Sequence, residues 1–335
     1  MLKIQHIIHP DNEKWDRIWS GCDYATYFHS REWAEIWAKY TKGSIKPASE
    51  LVIFTDKKEA LIPFSVQKRK GMSKTYYLTA EGQYGNWISI DEIQDEHASL
   101  LIKHIDQHCK NLVWRLNPYD PINPVVRLNN LYELEEDGNH AVSLTQGFEN
   151  ILSNCHHGHR CSYRKGIKEG LELKLAEGID EWKAYYCTYE DTVRRWGDKV
   201  LSFYDWQLFK IIFDLASKYI KLWIVLYKGD VISGALCFYA EKHVVCWHAS
   251  VLENYLSKRP MNFMFLEIMK NHCFDKYKWF DFNTSAHIEG LKTFKGRFGA
   301  KSLSCHVCYK KSKPIKAYIK FKNFLKKKDK KLKMS

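Results

Sequence analysis

Residues able to do chemistry gather at one strand end and two basic stretches. The segment Gly290-Leu-Lys-Thr-Phe-Lys-Gly-Arg-Phe-Gly299 sets Lys292, Lys295 and Arg297 among Phe294 and Phe298, soon after a strand that closes with Asp281-Phe-Asn-Thr-Ser285. A cationic, aromatic-studded turn after a strand end suits group transfer, because fixed positive charge in a partly dry site stabilises negative charge as it develops. Asn283, Thr284 and Ser285 add small hydrogen-bonding groups that either orient a substrate or cap the next helix. Arg160 and Arg164, four residues apart, share one helical face; they read either as a phosphate grip or as a solvated basic face. His248 and Tyr255 would line the same cleft, with a satisfied strand histidine and an exposed tyrosine as the plainer readings.

Two stretches look like metal boxes. In Cys155-His-His-Gly-His-Arg-Cys161 a helix would spread the side chains around its circumference, and in the alternating strand Leu303-Ser-Cys-His-Val-Cys308 the cysteines face opposite sides. Structural zinc sites usually pair one C-x2-C with a distant second pair, so no metal is expected at either. The ten cysteines show no disulfide-framework spacing and read as reduced core residues.

Positioning these groups requires an α+β scaffold. Trp33, Ile36, Trp37 and Tyr40, with Ser30 placed to cap, predict an amphipathic helix over 30–40. A hairpin over 51–66, a helix over 100–109, a strand over 111–116 and a proline-marked connection at Pro118, Pro121 and Pro124 follow. The second half begins with one basic helix over 149–170 and a strand over 171–176. Helices over 179–196 and 204–219 come next, then three strands at 222–227, 231–239 and 243–250, the first two joined by the tight Lys228-Gly-Asp turn. A helix over 262–273, a strand over 277–282, a short helix and a last strand complete it. The order in the first half is a weaker version of the second, which predicts two copies of one architecture with the cleft between them: an N-terminal domain at 1–148, a C-terminal domain at 149–309 and a lysine-rich tail at 310–335.

The net charge is +13, but residues 310–335 carry 12 Lys and one Asp, leaving +2 for the first 309 residues. A nearly neutral body excludes a chain-wide nucleic-acid footprint. The tail reads as a solubilising end, as an anchor on anionic lipid or as an RNA contact. With 12 Trp and 20 Tyr the chain has more rings than a core alone asks for, which suits a groove. No apolar run approaches 18 residues and the N-terminus lacks a signal-peptide pattern. The expected location is the cytoplasm, with the tail reaching the inner membrane face.

Three places resemble the FemAB-like branch of the GNAT acyltransferase superfamily: Phe28-His-Ser-Arg-Glu-Trp33, Arg160-Cys-Ser-Tyr-Arg-Lys-Gly-Ile-Lys-Glu-Gly170, and Asp281-Phe-Asn-Thr-Ser followed by Gly290-Leu-x-x-Phe-Lys-x-x-Phe-Gly299. The resemblance implies tandem GNAT-like domains, each a mixed, mostly antiparallel sheet flanked by helices, and direct acyl transfer to an amine. It makes Lys295 the group that meets charge on the donor ester or leaving hydroxyl. Asp281 would accept a proton from the attacking amine, and Arg160, Arg164, His248, Tyr255, Asn283, Thr284, Ser285, Lys292, Phe294 and Arg297 would hold substrate.

No tightly bound cofactor is implied: the donor is aminoacyl-tRNA or acyl-CoA, and the acceptor is an amine on a peptidoglycan-type envelope precursor. Two departures bear on the donor. Glu253-Asn-Tyr-Leu-Ser-Lys-Arg-Pro-Met261 lacks the glycines of a pyrophosphate loop, though Lys258 and Arg259 keep it attractive to phosphate, and no long heptad insertion is present to meet tRNA. CoA-dependent acylation of an amino sugar in surface-polysaccharide assembly, or a non-enzymatic RNA- or membrane-binding role, are the alternatives.

Overall fold

A computed structural model describes residues 1–68, 73–122, 124–129, 131–197, 202–285 and 288–312. The first lobe runs β1 (Ile4–Ile8), α1 (Asn12–Gly21), α2 (Arg31–Tyr40), β2 (Ile45–Pro47), β3 (Glu50–Phe54), β4 (Glu59–Ile62), β5 (Ser65–Gln67), β6 (Thr75–Tyr77), α3 (Asp95–His108), β7 (Leu112–Arg115), α4 (Val125–Leu128) and β8 (Glu133–Ser143). The second runs α5 (Phe148–Asn154), α6 (His157–Lys168), β9 (Glu172–Leu175), α7 (Ile179–Trp196), α8 (Trp206–Asp214), β10 (Ile220–Tyr227), β11 (Asp230–Tyr239), β12 (His243–Val251), α9 (Pro260–His272), β13 (Trp279–Thr284), α10 (Glu289–Gly296) and β14 (Lys301–Lys310).

Local chemistry accounts for several boundaries. Ser30 caps α2 by accepting from the Trp33 amide at 3.1 Å, which turns Trp33, Ile36 and Trp37 inward. The single basic helix expected over 149–170 is two helices. Cys155 adopts extended backbone and His156 is also non-helical between them, and the His156 ring accepts from the Gly158 amide at 3.1 Å to cap α6. Helix α8 is shorter than expected, because Ala216 turns to φ 48° one residue beyond its C-cap.

The sheets explain how the lobes join. One three-stranded sheet has the order β1-β3-β4, and a second, eleven-stranded sheet runs β2-β5-β6-β7-β14-β8-β13-β12-β11-β10-β9. The lobes exchange their last strands: β14, from the end of the second lobe, lies between β7 and β8, while β8 of the first lobe lies between β13 and β14. Strands β8 and β14 pair antiparallel without a break from Lys301 opposite Ala141 to Tyr309 opposite Glu133.

An aromatic core seals the junction. Trp33 has no exposed surface and meets Phe238 at 5.4 Å and Trp247 at 5.3 Å, and Tyr27 stacks on Phe238 at 4.8 Å. Burying each of these rings contributes about 2–3 kcal/mol. Much of the aromatic excess that suggested a groove is therefore spent on joining the lobes.

Candidate active site

The cleft begins where two parallel strands part. Strands β12 and β13 pair at His243–Trp279, Val244–Phe280 and Val245–Asp281 and then separate. Two local features drive them apart. On β12, Trp247 is an extra residue against β11, since Leu236 faces His248 while Cys237 faces Cys246; such a bulge bends its strand. On β13, Asn283 sits at φ 61°, a left-handed conformation that asparagine tolerates. Its amide donates to Asp281 Oδ1 at 2.5 Å, and its Oδ1 accepts from the Thr284 amide at 2.8 Å.

Between the strands lies a cavity of about 380 Å³. Its polar floor is Asn283, Thr284, Ser285 and Lys295, and its walls are mostly aromatic, from Tyr189, Tyr204, Trp247 and His248 on one side to Phe265, Phe282 and Phe294 on the other. Among the described lining residues, Lys295 is the one lysine, and no arginine, aspartate or glutamate joins it.

Lys295 comes from α10 and is 8% exposed. Its ammonium donates to the backbone carbonyls of Asn283 at 2.9 Å and Thr284 at 2.7 Å. Burial lowers its pKa to about 8, opposed in part by the charge of Asp281. Phe298, one turn on, is fully buried against Phe265 and Phe282, which anchors the helix that presents the lysine.

Asp281 lies beneath the cleft rather than in its wall. Its carboxylate has no exposed surface and accepts from Tyr119 Oη at 2.7 Å, Asn139 Nδ2 at 2.9 Å and the Asn283 amide. Burial raises its pKa to about 6 despite these donors. With its lone pairs so engaged, it positions Asn283 and thereby the carbonyls that hold Lys295.

The other expected residues divide. Asn283, Thr284, Ser285, Phe294 and His248 line the cleft. The His248 ring stacks on Trp247 at 4.1 Å, and burial lowers its pKa to about 3, so it stands there as a neutral ring. The remaining five lie elsewhere. Arg160 Nη1 donates to the carbonyls of Ser153, at 2.9 Å, and of Cys155. Arg164 and Arg297 are exposed, the latter just past α10. Tyr255 packs on Tyr227. Lys292 pairs with Glu289 at 3.5 Å and lines a separate polar hollow with Glu136, His140 and Ser302. None of these five is among the residues that line the cleft.

Sequence reasoning missed Tyr189, Thr192, Val193 and Trp196, which line the cleft from α7. Their i, i+3, i+4, i+7 spacing is that of any core-facing stripe, so nothing local marked them. Tyr204 and Gln83 gave no signal either. In the two cysteine boxes, buried Cys155 and Cys305 give their thiol hydrogens to the carbonyls of Phe298 and Leu116, and exposed Cys161 lies 3.5 Å from the His157 ring.

At the start of α9, where a phosphate would be cradled, few amides are free. Pro260 has none, the Arg259 amide donates to Leu256, and that of Asn262 donates to Arg259. Lys258 is held by Glu169 at 2.8 Å and lies over the Tyr227 ring.

Parted parallel strands flanked by helices, repeated in tandem, make up a fold of the GNAT type. Residues 154–295 match the family model described as an acetyltransferase (GNAT) domain. No curated protein matches the sequence. Among solved structures, FemX is 12% identical, with 90% of this chain and 97% of that one covered at a TM-score of 0.72. L-PGS from Bacillus licheniformis is 13% identical, covering 92% and 95% at 0.58. The C-terminal domain of a putative lysylphosphatidylglycerol synthetase from Agrobacterium fabrum is 11% identical, covering 81% and 87% at 0.54. Residues 154–295 thus carry the match to a GNAT domain, and the chain as a whole shares its fold with FemX.

Proposed function

We propose that this chain is an N-acyltransferase that moves an acyl group, aminoacyl rather than acetyl, from an ester donor to an amine on a cell-envelope precursor. One observation carries the reading: an ammonium fixed by two carbonyls at the floor of a mostly apolar cleft. In the proposed reaction a neutral amine attacks the ester carbonyl, the new C–N bond forms and the C–O bond to the donor breaks. Lys295 stabilises the oxyanion and delivers a proton to the leaving oxygen, and the surplus proton on nitrogen returns to it. A lysine with a pKa near 8 suits both halves of that exchange.

The preference for an aminoacyl donor draws support from the start of α9, whose first turn offers a pyrophosphate few amides. The lysyl group in the name of the putative lysylphosphatidylglycerol synthetase whose domain shares this fold is consistent with that choice. The acceptor amine rests on the resemblance in sequence.

The test is mass spectrometry of envelope precursors incubated with either charged tRNA or acyl-CoA, using wild-type protein and Lys295→Met. Aminoacylated product from charged tRNA is expected, reduced at least about a hundredfold in the variant. Thermal stability should stay within about 1 kcal/mol. Equal turnover by the variant would remove Lys295 from the mechanism, and product from acyl-CoA alone would replace the donor.

A further inference from the structure

In the first lobe, outside the lining of the cleft, the last turns of α3 place His104 and His108 one helical turn apart, and Glu50 at the start of β3 faces both. His104 Nε2 lies 2.7 Å from one carboxylate oxygen of Glu50, and His108 Nε2 lies 3.5 Å from the other. One ligand atom from each of the three falls within 4.8 Å of the other two. Glu50 is 7% exposed, so its carboxylate has left bulk water to meet two imidazoles. The His108 ring is set by Phe64, stacked at 6.0 Å, and by Tyr76, edge-on at 4.9 Å. Its side chain keeps 35% of its surface, the wettest of the three.

Two imidazole nitrogens and one carboxylate oxygen converging on a point, with solvent reaching one side, make a donor set that suits Zn²⁺ with water as the fourth ligand. We propose that Glu50, His104 and His108 bind Zn²⁺ and so fasten α3 to β3. The reading is independent of the acyl-transfer site and uses neither cysteine box. The one sequence sign is His104-x3-His108 at the end of a helix; the glutamate lies 54 residues earlier and only the fold delivers it.

The test uses the full chain, stripped of metal with a chelator and titrated with Zn²⁺ against a chromogenic chelator, then with Co²⁺. The expected result is one equivalent of Zn²⁺ bound and a Co²⁺ spectrum with weak d–d bands and no thiolate charge-transfer band. His108→Ala, at the most exposed ligand, should weaken binding by about a hundredfold while the circular-dichroism spectrum is kept. Glu50→Gln should weaken it as well, and Zn²⁺ should raise the melting temperature of the wild type alone. The proposal is overturned by absence of binding, by a Co²⁺ spectrum dominated by thiolate, as exposed Cys161 beside His157 would give, or by affinity unchanged in His108→Ala.

Discussion

The parted strands of the second lobe have a counterpart in the first that has been filled. Strands β6 and β7 also run parallel, pairing at Tyr76–Leu112 and Tyr77–Val113, and then lose contact as β12 and β13 do. There, however, residues 79–85 fold back across the opening. Gly85 returns its amide to the Arg115 carbonyl at 2.8 Å, Arg115 Nε donates to the Gly82 carbonyl at 2.9 Å, and Trp114 Nε1 donates to the Gly85 carbonyl at 2.7 Å. The fold-back is tight: a Cβ on Gly85 would stand 2.7 Å from that of Leu78. Where one lobe holds a cavity with a cation at its floor, the other holds a guanidinium paired with Asp137. The architecture supplies an opening between parallel strands; whether it becomes a site depends on what the next few residues do with it.

The sharpest way to break this comparison is to remove the cation from each lobe in turn. Loss of Lys295 should abolish turnover and spare stability. Arg115→Met should do the reverse, costing about 3–5 kcal/mol in urea melts because Asp137, whose side chain is 5% exposed, keeps its charge without its partner. Turnover per folded molecule should survive. If Arg115→Met proved as active and as stable as wild type, the first lobe would not be a structural plug. Filling the second cleft as nature filled the first, with Ala249→Trp, should lower kcat/KM at least about a hundredfold with little change in melting temperature.

A smaller effect separates activity from stability along the pH axis. If the charged lysine acts, kcat/KM should fall as pH rises through about 8, by about tenfold per unit once Lys295 is mostly neutral. Stability should move the other way. Between about 8 and the usual lysine value of 10.5 the folded chain has released a proton that the unfolded chain still holds, so unfolding free energy gains with pH across that window. Denaturant melts of wild type against Lys295→Met would isolate the contribution, and identical pH dependence in the two would contradict it. The smallest effect is expected from ending the chain at Ser312. Residues 313–335, most of the lysine tail, lie outside the described residues, while Lys310 belongs to β14 and pairs with Asp106 at 2.6 Å. Turnover of soluble substrates should change less than about twofold, and a large loss would bring the tail into the reaction itself.

What the sequence made legible follows from how local the signals were. The three antiparallel strands, the Lys228-Gly-Asp turn and α9 are written in apolar runs and turn residues, and the structure has them at β10, β11, β12 and α9. Lys295 and the Asn283-Thr284-Ser285 strand end were visible because a motif and a boundary coincide there. Lost from view was anything decided across the lobes. The burial of Asp281 depends on Tyr119 and Asn139, 162 and 142 residues earlier. The break at Cys155-His156 hid in a helix-compatible stretch, because the His156 amide is satisfied by the Arg297 carbonyl, far along the chain. Arg160 and Arg164 do share α6, as their spacing said, but which way that face points is a tertiary decision.

Because β14 is the last of the described strands to be made, the exchange of strands sets a timetable. A ribosome that has finished β8 exposes β7 and β8 with the slot between them vacant, and the strand that fills it is made about 160 residues later. At roughly 5–20 residues per second that interval lasts on the order of ten seconds or more. Throughout it, two strand edges stand open to any passing β-former, so nascent chains are most in need of protection midway through translation rather than at its end.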